Sequence, residues 1–345
     1  MKNDLTTKLT KIFNQANQAI IPPRKILPSE WTEENIKFVS GPMNGSPVRL
    51  FPFQREPLDI IVNPSIRKTV FVSSAQILKT SILTYASYYL MQNNPSNMLH
   101  ASITGEMKKK YKTGVFEQGI KQCSVLENLV TRKTDKNAVN DQNQIEMKDG
   151  TMIYFASLGA PATLRSVTTK YLFLDEISGA VETEEGDPIA LANQRAASFA
   201  DSLIMSASTP VHPTDPVMVE WSKSDQRKYF VPCPHCNHEH EIVWANVRFT
   251  WTVDPKNGKK IAVSKGAKLH CPKCDKPFTE AQRHTAVANG RWIATRPEVT
   301  DYAGFHISRL YSPLTTIEKI VQDFSDSFAN FDLQTFYNTS LRFTI

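Results

Sequence analysis

The sequence predicts an α/β fold, a mostly parallel sheet flanked by helices, carrying a small zinc-ribbon module. Three observations point there. Short apolar runs such as Thr69-Val-Phe-Val-Ser73 and Tyr171-Leu-Phe-Leu174 alternate with stretches of helical length and composition. Two C-x-x-C pairs, Cys233-Pro-His-Cys236 and Cys271-Pro-Lys-Cys274, frame a polar, turn-rich stretch. With 345 residues, 41% hydrophobic and 21% charged, the chain has material for one large core and an appended module.

Taken in order, residues 1–45 form an arm. Ile21-Pro-Pro-Arg24, Leu27-Pro28 and Gly41-Pro42 break regular structure, leaving an amphipathic helix near Thr6 to Ala19. The core is expected over 46–228. Its strands are Thr69 to Ser73, Met98 to Ser102, Tyr171 to Leu174 and Leu203 to Ser208, with a hairpin over Ile145 to Phe155 turning at Asp149-Gly150. Helices are expected at Thr80 to Gln92, at Glu106 to Gln122, which is Lys-rich, and at Pro188 to Phe199. Residues 229–278 make the zinc ribbon, expected to bury its own interior, and 279–345 complete the core.

Composition excludes several classes. No stretch approaches the roughly 18 apolar residues of a membrane span, and Met1 to Gln18 lacks the apolar block of a signal peptide, so a cytoplasmic protein without a membrane partner is expected. The net charge of +6 permits a nucleic-acid partner without requiring one. Lys108-Lys-Lys110 and Lys112 form a basic run that would track a DNA backbone or, the preferred reading, make a solvated helix face. Only 13 glycines are present, so a phosphate loop here is expected to be glycine-poor. Cys123, outside the pairs, reads as a buried structural thiol.

Four thiolates at knuckle spacing make a closed tetrahedral zinc site with no open position for a substrate water, hence a structural one. Four unligated thiols is the alternative. His235, His238, His240 and His270 lie nearby, and with a full cysteine set they read as solvated surface residues.

The second motif is Ser73-Ser-Ala-Gln-Ile-Leu-Lys79-Thr80, between the first core strand and its helix. Against G-x-x-x-x-G-K-[ST], the Walker A pattern, the Lys-Thr pair matches while Ser73 and Leu78 replace the glycines. As a P-loop, with Ser74 and Gln76 among its nucleotide-binding residues, it would surround phosphate with backbone N–H groups at the helix N-terminus, neutralise it with Lys79 and ligate Mg²⁺ through Thr80. Otherwise it is an ordinary strand-to-helix turn. Tyr171-Leu-Phe-Leu-Asp175-Glu176 is the matching Walker B strand: Asp175 would hold Mg²⁺ and Glu176 activate the attacking water, as in P-loop NTPases of the ASCE type. The alternative is a solvated acidic pair. Ser208 and Thr209 end the next strand, where their hydroxyls would sense phosphate. Gln54 and Arg55, some twenty residues before the loop, are either adenine contacts or a surface polar pair.

In sequence order, Phe53-Gln-Arg-Glu56, Ser74-Ala-Gln-x-x-Lys-Thr80, Leu164-Arg-Ser166, Leu174-Asp-Glu176, Gly186-Asp-Pro188, Ser208-Thr-Pro210 and Pro232-Cys-Pro-His-Cys236 resemble the large terminase subunit of tailed phages, of the lambda-like GpA type. Gly304-Phe-His306, Leu310-Tyr-Ser-Pro313 and Phe336-Tyr-Asn-Thr339 extend the resemblance over roughly 45–341. It implies an ATPase motor that drives double-stranded DNA through the portal of a procapsid, in the host cytoplasm, with a terminase small subunit and further copies of itself as partners. It assigns Lys79 and Thr80 to phosphate and Mg²⁺, Asp175 to Mg²⁺, Glu176 to hydrolysis, Ser208 and Thr209 to coupling, Gln54 and Arg55 to adenine, and Arg165 to charge stabilisation in its own or a neighbouring subunit. Two departures stand out: Leu78 replaces the glycine before the lysine, and the chain ends at Ile345, where the family's nuclease domain would begin. A motor without nuclease activity is therefore expected, with Asp323 and Asp326 a surface pair on an amphipathic helix. A P-loop helicase or translocase, or a non-catalytic zinc-ribbon DNA-binding protein, are the competing classes.

Overall fold

A computed structural model describes residues 26–341 apart from 75, 76, 78, 133–138, 166, 213, 254, 256 and 257. The Thr6 to Ala19 helix and Gln76 lie outside the described residues.

The described residues begin with α1 (Pro28–Asn35) and α2 (Pro52–Asp59), then β1 (Lys68–Ser73), α3 (Lys79–Asn93) and β2 (Met98–Ser102). Next come α4 (Gly105–Tyr111), α5 (Glu117–Gln122), α6 (Ser124–Leu129), and the hairpin strands β3 (Gln144–Glu146) and β4 (Met152–Ser157). β5 (Tyr171–Asp175), α7 (Pro188–Asn193), β6 (Leu203–Ser208) and α8 (Pro216–Lys223) follow. The remainder is β7 (Arg227–Pro232), β8 (Glu239–Glu241), β9 (Val247–Val253), β10 (Lys260–Leu269), α9 (Glu280–Ala288), β11 (Arg291–Ala294), β12 (Tyr302–Ile307), α10 (Ile317–Ala329) and α11 (Leu333–Phe336).

One 10-stranded sheet has the order β11-β7-β12-β1-β6-β5-β2-β4-β3, with β8 on β7. Strands from β7 through β4 run parallel, and β11, β8 and β3 are antiparallel additions at the margins. Alternation divides each central strand between two apolar layers. Phe71 and Phe173 face the larger cluster, whereas Val70, Val72, Leu172 and Leu174 face the smaller.

Several expectations change. The Lys-rich helix forms over the expected stretch but carries a π turn over Lys112–Phe116 between α4 and α5. Gly119 lets Tyr88 pack against this segment, since a Cβ there would overlap the Tyr88 ring. Lys112 is thereby buried and ion-paired with Glu117, so it is no part of a basic solvent face. The helix from Pro188 is also shorter, giving way after Asn193 to a 3-10 turn over Gln194–Ala196.

β9 and β10 form a separate hairpin, and it does not bury its own interior. Its inner face packs on α10: the Ala262 amide donates to Ser325 Oγ at 3.0 Å, and Ser264 Oγ to Gln322 Oε1 at 2.8 Å. Phe324 packs with Trp244, Phe249 and Trp251, joining hairpin and helix in the larger core.

Candidate functional site

The carboxyl ends of β1, β6 and β5 lie level. Ala207 of β6 pairs with Phe71 on one side and with Asp175 on the other, so the side chains just beyond the three strands converge. In open α/β sheets this edge is where ligands bind.

Lys79 opens α3 and its ammonium donates to Thr209 Oγ1 at 2.6 Å while pairing with Glu176 Oε1 at 2.9 Å. Thr80 Oγ1 donates to Asp175 Oδ2 at 2.9 Å. The other carboxylate oxygen, Asp175 Oδ1, is buried without a hydrogen-bond partner among the described residues. Burial, and then the neighbouring Glu176 charge, push the Asp175 pKa up to about 6. An orphaned buried oxygen beside a threonine hydroxyl is a donor set that suits a hard cation such as Mg²⁺. Glu176 turns sharply off its strand in the left-handed region, φ 59°, a conformation that costs a non-glycine residue about 1 kcal/mol or more. Its amide donates to Ala207 O at 2.8 Å, fixing that turn to β6. Ser208 Oγ donates to Ser178 Oγ at 2.7 Å and accepts from the Ser178 amide at 3.1 Å, so β6 and the turn after Glu176 are tied together.

Other sequence candidates sit around this cluster. Ser74 is buried; its hydroxyl donates to Ser340 O and accepts from the Arg309 amide, both at 2.9 Å. Gln54 is also buried, with Nε2 donating to Ile77 O at 3.3 Å, so it braces the loop itself. Arg55 pairs with Glu33 at 2.8 Å. Arg165, 66% exposed, pairs with Glu185 at 2.7 Å, outside the hydrogen-bonded cluster. Asp323 is held by Arg309 at 2.7 Å and Lys319 at 2.8 Å.

The structure adds residues that sequence reasoning missed. Arg309 and Ser340 tether the loop to the C-terminal helices, and nothing local in the sequence links them to Ser74. Behind Thr80 runs a polar chain: Thr84 Oγ1 donates to Thr80 O at 2.9 Å and meets Tyr111 Oη at 3.1 Å, which meets His100 Nδ1 at 3.2 Å. His100 is buried between Phe155 and Phe173, and desolvation lowers its pKa from 6.5 to about 3. A neutral imidazole inside an apolar strand pattern carries no sequence signature.

The four cysteines form a second cluster. Their Sγ atoms all lie within 4.8 Å of one another, with Cys233–Cys274 at 3.9 Å and Cys236–Cys271 at 3.8 Å. A tetrahedron with metal–sulfur bonds of about 2.3 Å has edges of about 3.8 Å, so the spacing fits zinc. Both knuckles have the same build. The Asn237 amide donates to Cys233 O at 2.9 Å and the Asp275 amide to Cys271 O at 3.0 Å, each from a residue with positive φ. The histidines are engaged elsewhere, His235 with Pro277 O at 3.0 Å and His270 with Asp275 O at 2.8 Å. His240 is buried rather than solvated, because it packs edge-on against Phe278.

Fold and site together define an α/β protein whose lysine, hydroxyl and carboxylate groups meet at the carboxyl edge of a parallel sheet. A family model described as phage terminase large subunit gpA, ATPase domain, matches residues 42–292, and the chain belongs to that family. The terminase large subunit of Enterobacteria phage P21 is 23% identical over 320 residues, covering 84% of this chain and 48% of the relative. That of Escherichia phage lambda is 22% identical over 364 residues, covering 99% and 56%. The chain thus spans about half the length of these relatives. The crystal structure of the HK97 bacteriophage large terminase shares the fold, with TM-score 0.53 and 13% identity over 92% of this chain and 54% of that one. Among the described residues no helix is long and apolar enough to cross a membrane.

Proposed function

We propose that this chain is the ATP-hydrolysing motor portion of a phage terminase large subunit, driving double-stranded DNA into a procapsid in the host cytoplasm. The observation that carries the reading is the joint placement of Lys79, Thr80, Asp175 and Glu176 at one sheet edge. Lys79 neutralises phosphate charge, and an arriving γ-phosphate competes with Glu176 and Thr209 for its ammonium. That competition frees Glu176 to orient a water and accept its proton as the water attacks the γ-phosphate. Asp175 and Thr80 are the groups that would hold Mg²⁺, which supplies charge neutralisation to the phosphates. Gln54 and Arg55 are the candidate adenine contacts, and Ser74 and Gln76 belong to the sequence motif assigned to nucleotide binding. Thr209 and Ser208 couple phosphate state to β6 and the Ser178 turn. Arg165 reaches a nucleotide only by leaving Glu185, as a residue acting on a neighbouring subunit would.

The division that goes with this reading is an arm over 1–45, a P-loop core of the ASCE type over 46–228, a zinc ribbon over 229–278 held by Cys233, Cys236, Cys271 and Cys274, and a closing segment over 279–345. The terminase small subunit, the portal and further copies of this chain are the expected partners.

Purified protein should hydrolyse ATP with Mg²⁺. Lys79→Ala should lose nucleotide affinity, since phosphate charge is left unanswered. Glu176→Gln should still bind nucleotide while turnover falls roughly 100-fold or more. Wild-type turnover in both variants would overturn the assignment. Elemental analysis should find one zinc per chain, and metal-free protein with an intact hairpin would refute the ribbon.

A further inference from the structure

We propose that the outer face of the β9–β10 hairpin binds the phosphate backbone of duplex nucleic acid. The motor reading explains why a duplex is at hand, but the observations that carry this surface lie apart from the nucleotide site.

The first is charge. Between Trp244 and Phe278 stand Arg248, Lys256, Lys259, Lys260, Lys265, Lys268, Lys273 and Lys276 against only Asp254 and Asp275. This stretch alone carries a net +6, which is the formal net charge of the whole chain, so the remainder balances to zero. A dication on four thiolates offsets only part of that excess.

The second is geometry. The inner face of β10, with Ala262, Ala267 and Leu269, is buried. Arg248, Thr250, Lys265 and Lys268 are exposed on the other side, where with His270 they line a shallow groove of about 300 Å³. A bulge between Val263 and Lys268 interrupts the ladder, and at its centre Gly266 takes φ +83° while its amide donates to Glu318 Oε1 at 2.7 Å. The bulge is thus pinned to α10, with a lysine close on either side.

The third is frustration. Arg248 and Lys268 stand directly opposite each other in the ladder, an arrangement that is destabilising for like charges. Asp275 answers Arg248 at 2.9 Å, but among the described residues Lys265, Lys268, Lys273 and Lys276 pair with no carboxylate. A bound anion relieves this repulsion. Lys265 and Lys268 flank the groove on β10 while Lys260 stands at the far end of that strand and Lys273 and Lys276 follow on the second knuckle, so the charge is spread along a strip. β10 has ten residues, about 33 Å at ~3.3 Å each, and a duplex presents one phosphate per ~1.7 Å of axis over that length. A polyanion with regular charge fits this strip better than a single phosphate.

The test is anisotropy of a labelled duplex of about 30 base pairs with the full chain, titrated between about 50 and 200 mM salt. Lys265→Gln with Lys268→Gln should weaken binding at least tenfold at about 100 mM, and flatten the log–log salt slope by about 2, one unit per lost phosphate contact. Lys265→Arg with Lys268→Arg should keep wild-type binding and slope. The charge control, Lys108→Gln with Lys109→Gln on α4, should change neither. Unchanged binding in the hairpin Gln variant, an equal loss in the α4 control, or competition by polyglutamate as effective as by duplex at equal charge would each overturn the surface. ATP hydrolysis without DNA separates the two readings. If it is intact while the hairpin variant binds normally, the surface fails and the motor stands. If wild type binds through the hairpin but never hydrolyses ATP, the motor fails and the surface stands.

Discussion

His100 shows what a single buried side chain does to the pH response of the fold. Its pKa of about 3 means that the folded chain stays unprotonated there, while the unfolded chain takes up a proton below about 6.5. Stability from this residue is therefore complete above pH 6.5 and falls, by about 1.4 kcal/mol per unit, as pH drops toward 3. Asp175 acts in the opposite sense. Its pKa is raised from 3.8 to about 6, so the folded chain holds a proton that the unfolded chain has released, and stability rises as pH falls through that window. The two contributions oppose each other between pH 6 and 4, and the wild-type curve alone conceals both. His100 Nε2 lies 3.0 Å from Ser87 Oγ, and His100→Gln, whose amide offers a donor and an acceptor to Ser87 and Tyr111, removes one of them. Urea unfolding at pH 6.5 and 4.5 should show wild type losing roughly 2–3 kcal/mol more than the variant over that interval. Parallel curves for the two proteins would show that His100 is not held neutral.

At the scale of elements, what was legible in the sequence is what leaves a local trace. Lys79 and Thr80 are adjacent and follow a strand, Asp175 closes an apolar run, and the cysteine pairs have knuckle spacing, so each could be read within a dozen residues. The tether from Ser74 to Arg309 and Ser340 spans more than 230 residues and depends on backbone groups, which no side-chain pattern records. The π turn at Lys112 left no trace of a different kind: its composition is that of the helix around it, and the Tyr88 ring that packs over Gly119 comes from α3. The hairpin was mistaken for a self-contained module because its inner-face residues, Ala262 and Ala267, are small and their partners lie on α10. That contact changes what metal removal should do. The knuckles fix the hairpin's base, and hydrogen exchange after chelation should rise at β9 and β10 and also along α10, whose Phe324 and Ser325 lose their footing. Protection lost from the hairpin while α10 stays unchanged would mean that the aromatic contacts are not cooperative.

At the scale of the molecule, the decisive strand is the one farthest along the chain. β12 lies between β1 and β7, in register from Lys68 with Tyr302 to Ser73 with Ile307, so the strand that leads toward Lys79 and Thr80 is completed only by residues beyond 300. Gly304 admits the Ser224 side chain where any Cβ would collide, and its amide donates to Asp225 Oδ1 at 2.8 Å. Tyr311, just past the strand, donates to Tyr229 O and accepts from the Ile242 amide, both at 2.7 Å, joining β7 to the end of β8. The stretch matched by the family model stops at residue 292, short of all of this. Phe305, Ile307, Leu310 and Tyr311 are each almost wholly buried, and at about 1.5–3 kcal/mol apiece their burial contributes about 6–12 kcal/mol. Residues 42–292 produced alone should therefore be insoluble or melt without cooperativity, with β1 left as an apolar edge open to pairing with other chains. The whole chain, treated identically, should give soluble protein with a cooperative thermal transition. If the shorter piece were soluble and melted within a few degrees of the whole chain, β12 would be an ornament on the sheet and not the strand that closes it.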